Sequence, residues 1–264
     1  MNKRFLSLLC VAMLITITLS GCNITVSADG SSEPININIA TDDEVKQTAE
    51  PENIAVIDSG DAFSVAMNPK RDYLTLVNND HEYEFGGTYD RELQKDLIYL
   101  SDVYGEPTGI EKATGLAFTM LQADLREKGI EIGFYSGYRT KEDQKWVLDH
   151  YGTNEDWVAQ NTIMAPGFSE HHTGLLVNIL IWGEENGEET WITETAERQA
   201  AHPEFAIVHQ TLADYGFIDR YPAEKEEITG VKNEPYEIRF VGNSKIAHEI
   251  MDNGLCLEEY LENK

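Results

Sequence analysis

Three stretches of the chain concentrate side chains that hold ions, move protons or grip carboxylates. From Ser169 to Leu180 the sequence reads SEHHTGLLVNIL, which places His171 and His172 beside Glu170 and puts Asn178 further along. From Asn233 to Gly242 it reads NEPYEIRFVG, with Glu234 and Glu237 at E-x-x-E spacing around Pro235 and Tyr236. Imidazoles and carboxylates bind divalent ions and serve as general acids and bases. The amide oxygen of Asn178 is a neutral donor that calcium accepts and zinc rarely uses. The third stretch, FYSGYRTKEDQ from Phe134 to Gln144, carries Arg139, whose planar guanidinium suits a bidentate hold on a carboxylate. Each residue also has a plainer reading. Most lone histidines are packed or solvated, Glu234 could be a surface carboxylate beside a proline, and Arg139 could start a helix paired with Glu142 or Asp143.

The elements that must position these residues can be sketched from hydrophobic period. YLTLVNN, from Tyr73, alternates and is β-rich, so it predicts a strand. The next long segment places Ala113, Leu116, Ala117, Met120, Leu121 and Leu125 on one helical face, with Gly129 closing the helix. IGFYSGY reads as a strand, TKEDQKWVLDHYG as a helix capped by Thr140 and ended by Gly152, and GLLVNILIW as a buried strand. PEFAIVHQTLADYG gives an amphipathic helix that contains His209, EIRFVG gives another strand, and His248 falls in a C-terminal helical stretch. No Gly-rich phosphate loop follows a strand, which disfavours a doubly wound nucleotide fold. The expectation is an α+β domain with helices packed on a small sheet.

The ends and the charge bound the setting. Lys3 and Arg4 precede an apolar run from Phe5 to Leu19, too short for the roughly 20 residues of a membrane span, and the pattern fits a signal peptide. It closes in Leu19-Ser20-Gly21-Cys22, which resembles a bacterial lipobox, so the expected mature chain starts at Cys22 with a lipidated thiol, on the outer face of the membrane. Residues 22–68 are polar and acidic and read as a flexible tether, leaving 69–264 as the domain. Residues 54–65 could alternatively pair with the domain as an edge strand. The formal net charge of -27 excludes nucleic acid and anionic polymers as electrostatic partners. A peptide-binding site would rely on local cations such as Arg139 and Arg239.

Taken together, these motifs resemble the zinc D-alanyl-D-alanine carboxypeptidases of the vancomycin-resistance type. SEHHTGLLVN matches the family pattern S-x-H-x-x-G-x-x-x-D, NEPYE matches E-P-W-H, and FYSGYRTKEDQ matches S-G-Y-R-S-x-x-x-Q. YGFIDRYP, followed by Thr229 and Gly230, matches the segment before E-P-W-H. The resemblance implies a single α+β domain with a small antiparallel sheet flanked by helices, shared with the hedgehog signalling domain. It implies a zinc ion at His171, Asn178 and Glu237, where the family has His, Asp and His, with Glu234 as catalytic base. It further implies that Arg139 holds the substrate, with Ser136, Tyr138, Gln144 and Ser169 adding hydrogen bonds and Tyr236 replacing the family Trp. The ligand is then a peptidoglycan stem peptide ending in D-Ala. With two ligand positions changed, the expectation is recognition with impaired or no hydrolysis. The alternative is an active metal-dependent carboxypeptidase that uses the altered set.

Overall fold

The computed structural model describes residues 65–152 and 163–264, and the backbone of two short strands, β1 (Thr16–Leu19) and β2 (Cys22–Thr25), paired antiparallel with Leu19 opposite Cys22. The apolar run before Thr16, the Cys22 side chain and residues 26–64 of the tether lie outside the described residues. Val65 and Met67 already pack against the core of the domain.

The domain begins with α1 (Thr88–Asp96), the hairpin of β3 (Leu97–Ser101) and β4 (Pro107–Glu111), and the long helix α2 (Lys112–Glu127). Next come β5 (Ile132–Ser136), α3 (Lys141–Tyr151), a 3-10 turn over Glu170–Thr173, β6 (Leu176–Glu185) and β7 (Glu188–Ile192). The chain then forms α4 (Ala196–Ala201), α5 (Glu204–Leu212), β8 (Phe217–Asp219), α6 (Glu226–Thr229), β9 (Glu237–Phe240), α7 (Ser244–Met251) and α8 (Leu257–Glu262). An antiparallel sheet runs β5-β6-β9-β8, with β7 also paired to β6. This is the α+β domain with a small antiparallel sheet that the sequence implies.

Local chemistry sets the helix ends. The Glu111 carboxylate accepts from Thr114 N at 2.7 Å and caps α2, whose Ala113, Ala117, Phe118, Leu121 and Leu125 are buried. Thr140 and Asp143 form a reciprocal capping box at the start of α3. The apolar face of α2 packs with Phe205, Val208 and Leu212 of α5 on the inner face of the sheet, which presents Ile132, Phe134, Val177, Ile179, Ile238 and Phe240. Each such side chain contributes about 1.5–3 kcal/mol on burial.

Tyr73–Asn79 departs from the sequence expectation: among the described residues it forms no strand, and its one pairing there is an isolated bridge between Asn78 and His81. The carbonyls a ladder would need are taken instead by Arg239, whose guanidinium donates to Tyr73 O at 3.1 Å and Thr75 O at 2.9 Å. The alternating apolar residues face the core through Tyr73, which packs edge-on against Phe240.

Candidate functional site

The sheet register builds the site. Asn178 on β6 stands opposite Ser136 on β5 and opposite Glu237 on β9, so three residues far apart in sequence form one row across adjacent strands. Between Phe134, opposite Ile179, and Ser136, opposite Asn178, the register shifts at a β-bulge. The bulge lets Phe134 face the core while Ser136 faces the row. His171 comes from the 3-10 turn just before β6, with its ring fixed by Nδ1–H donation to Gly137 O at 2.5 Å. A carbonyl can only accept, so Nε2 carries the lone pair, and it stands 3.5 Å from a Glu237 carboxylate oxygen. That is a close approach without a formed hydrogen bond: His171 Nε2 and Asn178 Oδ1 are both buried and have no partner. The backbone then turns tightly, with Glu237 N donating to Glu234 O at 2.9 Å, and so brings Glu234 to the same place.

Burial and neighbouring charges set the protonation states. Burial, reinforced by the nearby Arg139, lowers the His171 pKa and keeps the ring neutral. Burial, reinforced by repulsion from Glu237, pushes Glu234 up to about 9, so its carboxyl keeps its proton at neutral pH. Burial opposes the charge on Glu237, while the Arg139 guanidinium and the Asn178 amide favour it and hold that carboxyl below its usual range. The row therefore carries one acid and one carboxylate. Tyr236 Oη donates to Glu234 Oε1 at 3.0 Å.

Arg139 lies alongside. Its Nε and Nη2 donate to Ser136 Oγ at 3.3 and 3.0 Å, and its Nη1 donates to Gln144 Oε1 at 3.2 Å. Gln144 is buried and held in turn by Nε2 donation to Met164 O at 2.8 Å. Three of five guanidinium N–H groups are so engaged, all with neutral partners, and among the described residues Arg139 makes no ion pair within 4.0 Å. It is not paired with Glu142, and Asp143 caps α3. Ser136 and Gln144 thus aim Arg139. Tyr138 receives a hydrogen bond from Gln94 at 2.8 Å, and Ser169 is buried at the start of the 3-10 turn. His172 is a fixed structural ring, donating from Nδ1 to Arg139 O at 2.8 Å and accepting from Gly167 N at 3.0 Å.

Arg239 is not a cation available to a ligand. Its guanidinium is fully buried, bonded to Glu170 at 2.7 Å and to the carbonyls of Tyr73, Thr75 and Phe240. Glu170, beside His171, is buried between Arg239 and Arg220, and Arg220 also holds Glu258 of α8 at 2.8 and 3.1 Å. Sequence reasoning missed this network because its members are distant in the chain. The one local signal was that Glu170 sits inside the His motif.

His171 on the 3-10 turn, Asn178 and Glu237 on adjacent strands and Glu234 just before β9 thus stand together beside Arg139, whose guanidinium keeps N–H groups uncommitted. The chain belongs to the VanY D-alanyl-D-alanine carboxypeptidase family, whose sequence pattern matches residues 108–243. It is 34% identical over 209 residues to the putative carboxypeptidase YodJ of Bacillus subtilis, covering 76% of this chain and 71% of the relative. It is 30% identical over 223 residues to a D-alanyl-D-alanine carboxypeptidase of Enterococcus faecalis, covering 78% of this chain and 77% of the relative. Among solved structures it resembles the LdcB LD-carboxypeptidase, with a TM-score of 0.60 and 31% identity over 72% of this chain and 86% of that one. It also resembles a variant of the vancomycin resistance D,D-pentapeptidase VanY in complex with Zn(II), with a TM-score of 0.55 and 30% identity over 72% of this chain and 98% of that one.

The residues present do not reproduce a zinc site. Two buried acceptors without partners, beside a carboxylate, are what a cation would satisfy. Yet one of the two is a neutral amide oxygen that zinc rarely takes, and the Glu237 charge is already favoured by Arg139 and the Asn178 amide. Among the described residues no three His, Cys, Asp or Glu side chains come together to hold a metal.

Proposed function

We propose that this protein recognises peptidoglycan stem peptides ending in D-Ala and hydrolyses them poorly or not at all, while held at the outer face of the membrane by a lipid on Cys22. One contrast carries the reading: the Arg139 guanidinium is held in place with N–H groups uncommitted, whereas the family's Asp and second His positions are Asn178 and Glu237. In the bound state the terminal carboxylate takes the spare N–H groups of Arg139, and Ser136 and Gln144 keep the guanidinium from swinging away. Without a metal to acidify it, a water in the row has a pKa near that of bulk water. Glu234 keeps its own proton at neutral pH and so is not the free carboxylate that a general base requires. The domain boundaries of this reading are a signal over 1–21, a tether over 22–68 and the recognition domain over 69–264.

A second reading has an observation of its own. His171 Nε2, Asn178 Oδ1 and Glu237 converge with two acceptors unpartnered, which favours a working site around another divalent ion. One experiment separates the two: metal content of the purified chain, with D-Ala release from a pentapeptide stem and binding of that peptide measured on the same sample. Binding without metal or release supports recognition; stoichiometric metal with turnover establishes the altered enzyme. Arg139→Ala is expected to abolish stem-peptide binding while leaving the fold intact, and unchanged affinity by calorimetry removes Arg139 from the site.

A further inference from the structure

The β3–β4 hairpin ends in a loop that is rigid yet presents an aromatic ring to solvent. Asp102 organises the loop: its Oδ1 accepts from Tyr104 N at 2.8 Å and Glu106 N at 3.0 Å, and its backbone closes the turn with Glu106 and Gly105. Gly105 takes φ +87, a conformation that suits glycine. Val103 N donates to Phe134 O at 2.9 Å, which pins the loop to β5. Tyr104 at the tip is nevertheless 73% exposed, so its ring adds little to folding. It stands 6.0 Å from the ring of Tyr135, edge to face, and Tyr135 is itself 42% exposed.

Tyr135 is the residue that the β-bulge adds between core-facing Phe134 and Ser136, the acceptor for Arg139. Bulges next to sites re-aim a side chain. Tyr135 directly precedes Ser136, so the ring pair lies one residue along the strand from the hydroxyl that holds Arg139. Tyr99, 56% exposed, and Tyr138 flank Gly109 on the same hairpin, where a Cβ would stand 3.6 Å from each ring.

We infer that the Tyr104–Tyr135 pair is a stacking platform for the uncharged N-acetylated disaccharide that carries the stem peptide, and that this sugar site extends the Arg139 cleft. The inference rests on the stem-peptide reading above and adds a second part of the same ligand. Pyranose rings present flat C–H faces to aromatic rings and polar groups at their edges, and rigid tyrosines offer that contact at low entropy cost. The rings alternate with Asp102 and Glu106, so the surface is no continuous apolar patch for a protein partner. A net charge of -27 disfavours anionic polymers and leaves an uncharged glycan unopposed.

The test is calorimetry on the full chain with three ligands: the free stem pentapeptide, the same peptide on its disaccharide, and the disaccharide alone. The disaccharide-peptide is expected to bind about tenfold more tightly than the free peptide, the effect of a modest aromatic contact. Tyr104→Ala combined with Tyr135→Ala should erase that difference and leave free-peptide affinity unchanged. Equal affinity of the wild-type chain for peptide with and without sugar overturns the platform while sparing the stem-peptide reading. Disaccharide binding that disappears in the double variant, with no free-peptide binding, upholds the platform and sinks the stem-peptide reading. Sugar-dependent affinity that survives the double variant places the sugar elsewhere and overturns the assignment to these rings.

Discussion

Asn178 and Glu237 are register partners on adjacent strands, so their substitutions fall on one spot and change its charge chemistry together. A carboxylate in place of an imidazole on β9, with an amide in place of a carboxylate on β6, moves the negative charge from one strand to its neighbour. On the proposed reading the net charge of the ligand set is kept while zinc's preferred donors are exchanged for others. The double change Asn178→Asp with Glu237→His should therefore restore tight zinc binding and some release of D-Ala. Metal analysis and a D-Ala assay check it, and a variant that binds zinc and stays inert would show that more than the ligands has been lost. Each single change should do less, because one alone leaves either two buried carboxylates or none beside His171.

The elements that hold the site are joined by buried charge. Glu170 in the 3-10 turn ties to Arg220 at the end of β8 and to Arg239 on β9, and Arg220 ties to Glu258 on α8. The C-terminal helix thus supports the turn that presents His171, although it contributes no group to the cleft. A buried ion pair that loses one partner leaves an uncompensated charge. Glu258→Ala should accordingly cost about 3 kcal/mol, at the low end because Arg220 keeps Glu170. A fall in the urea midpoint with unchanged slope would show it, and a midpoint unmoved would mean that α8 is not needed for the turn.

A second tie joins another set of elements. His209 on α5 sits between Asp219 at the end of β8, 2.5 Å away, and Glu194 before α4, 2.7 Å away. Burial opposes the charge on the ring, but the hydrogen bonds to Asp219 and Glu194 overcome it and push the pKa up to about 10. A pKa raised above the unfolded value of about 6.5 gives stability that is whole below that value and lost as pH rises through about 10. Urea midpoints of the wild-type chain should decline from neutral pH towards pH 10, and the His209→Gln variant should be less stable at pH 7 and lack most of that decline. Parallel curves for the two chains would rule His209 out as the cause.

Much of this protein could be read from the chain alone. Helix α2 was legible because Ala113, Ala117, Leu121 and Leu125 repeat at helical spacing, and α3 because Thr140 and Gly152 bracket it. The site residues were legible because the family motifs are short, contiguous runs of distinctive residue types. Helix α1 was not, since Leu93 is its only buried residue and leaves no stripe to detect. Tyr73–Asn79 misled because alternation reports which side chains turn inward, while a strand also needs free carbonyls, and Arg239 occupies those. The sequence by itself determined the α+β class and the family, and it placed Asn178 and Glu237 where the family pattern has Asp and His. Only the tertiary structure decided that Asn178 and Glu237 meet, that Arg239 is buried while Arg139 remains available, and that Glu234 keeps its proton. Those outcomes depend on strand register and on desolvation by residues distant in the chain, which local spacing cannot encode.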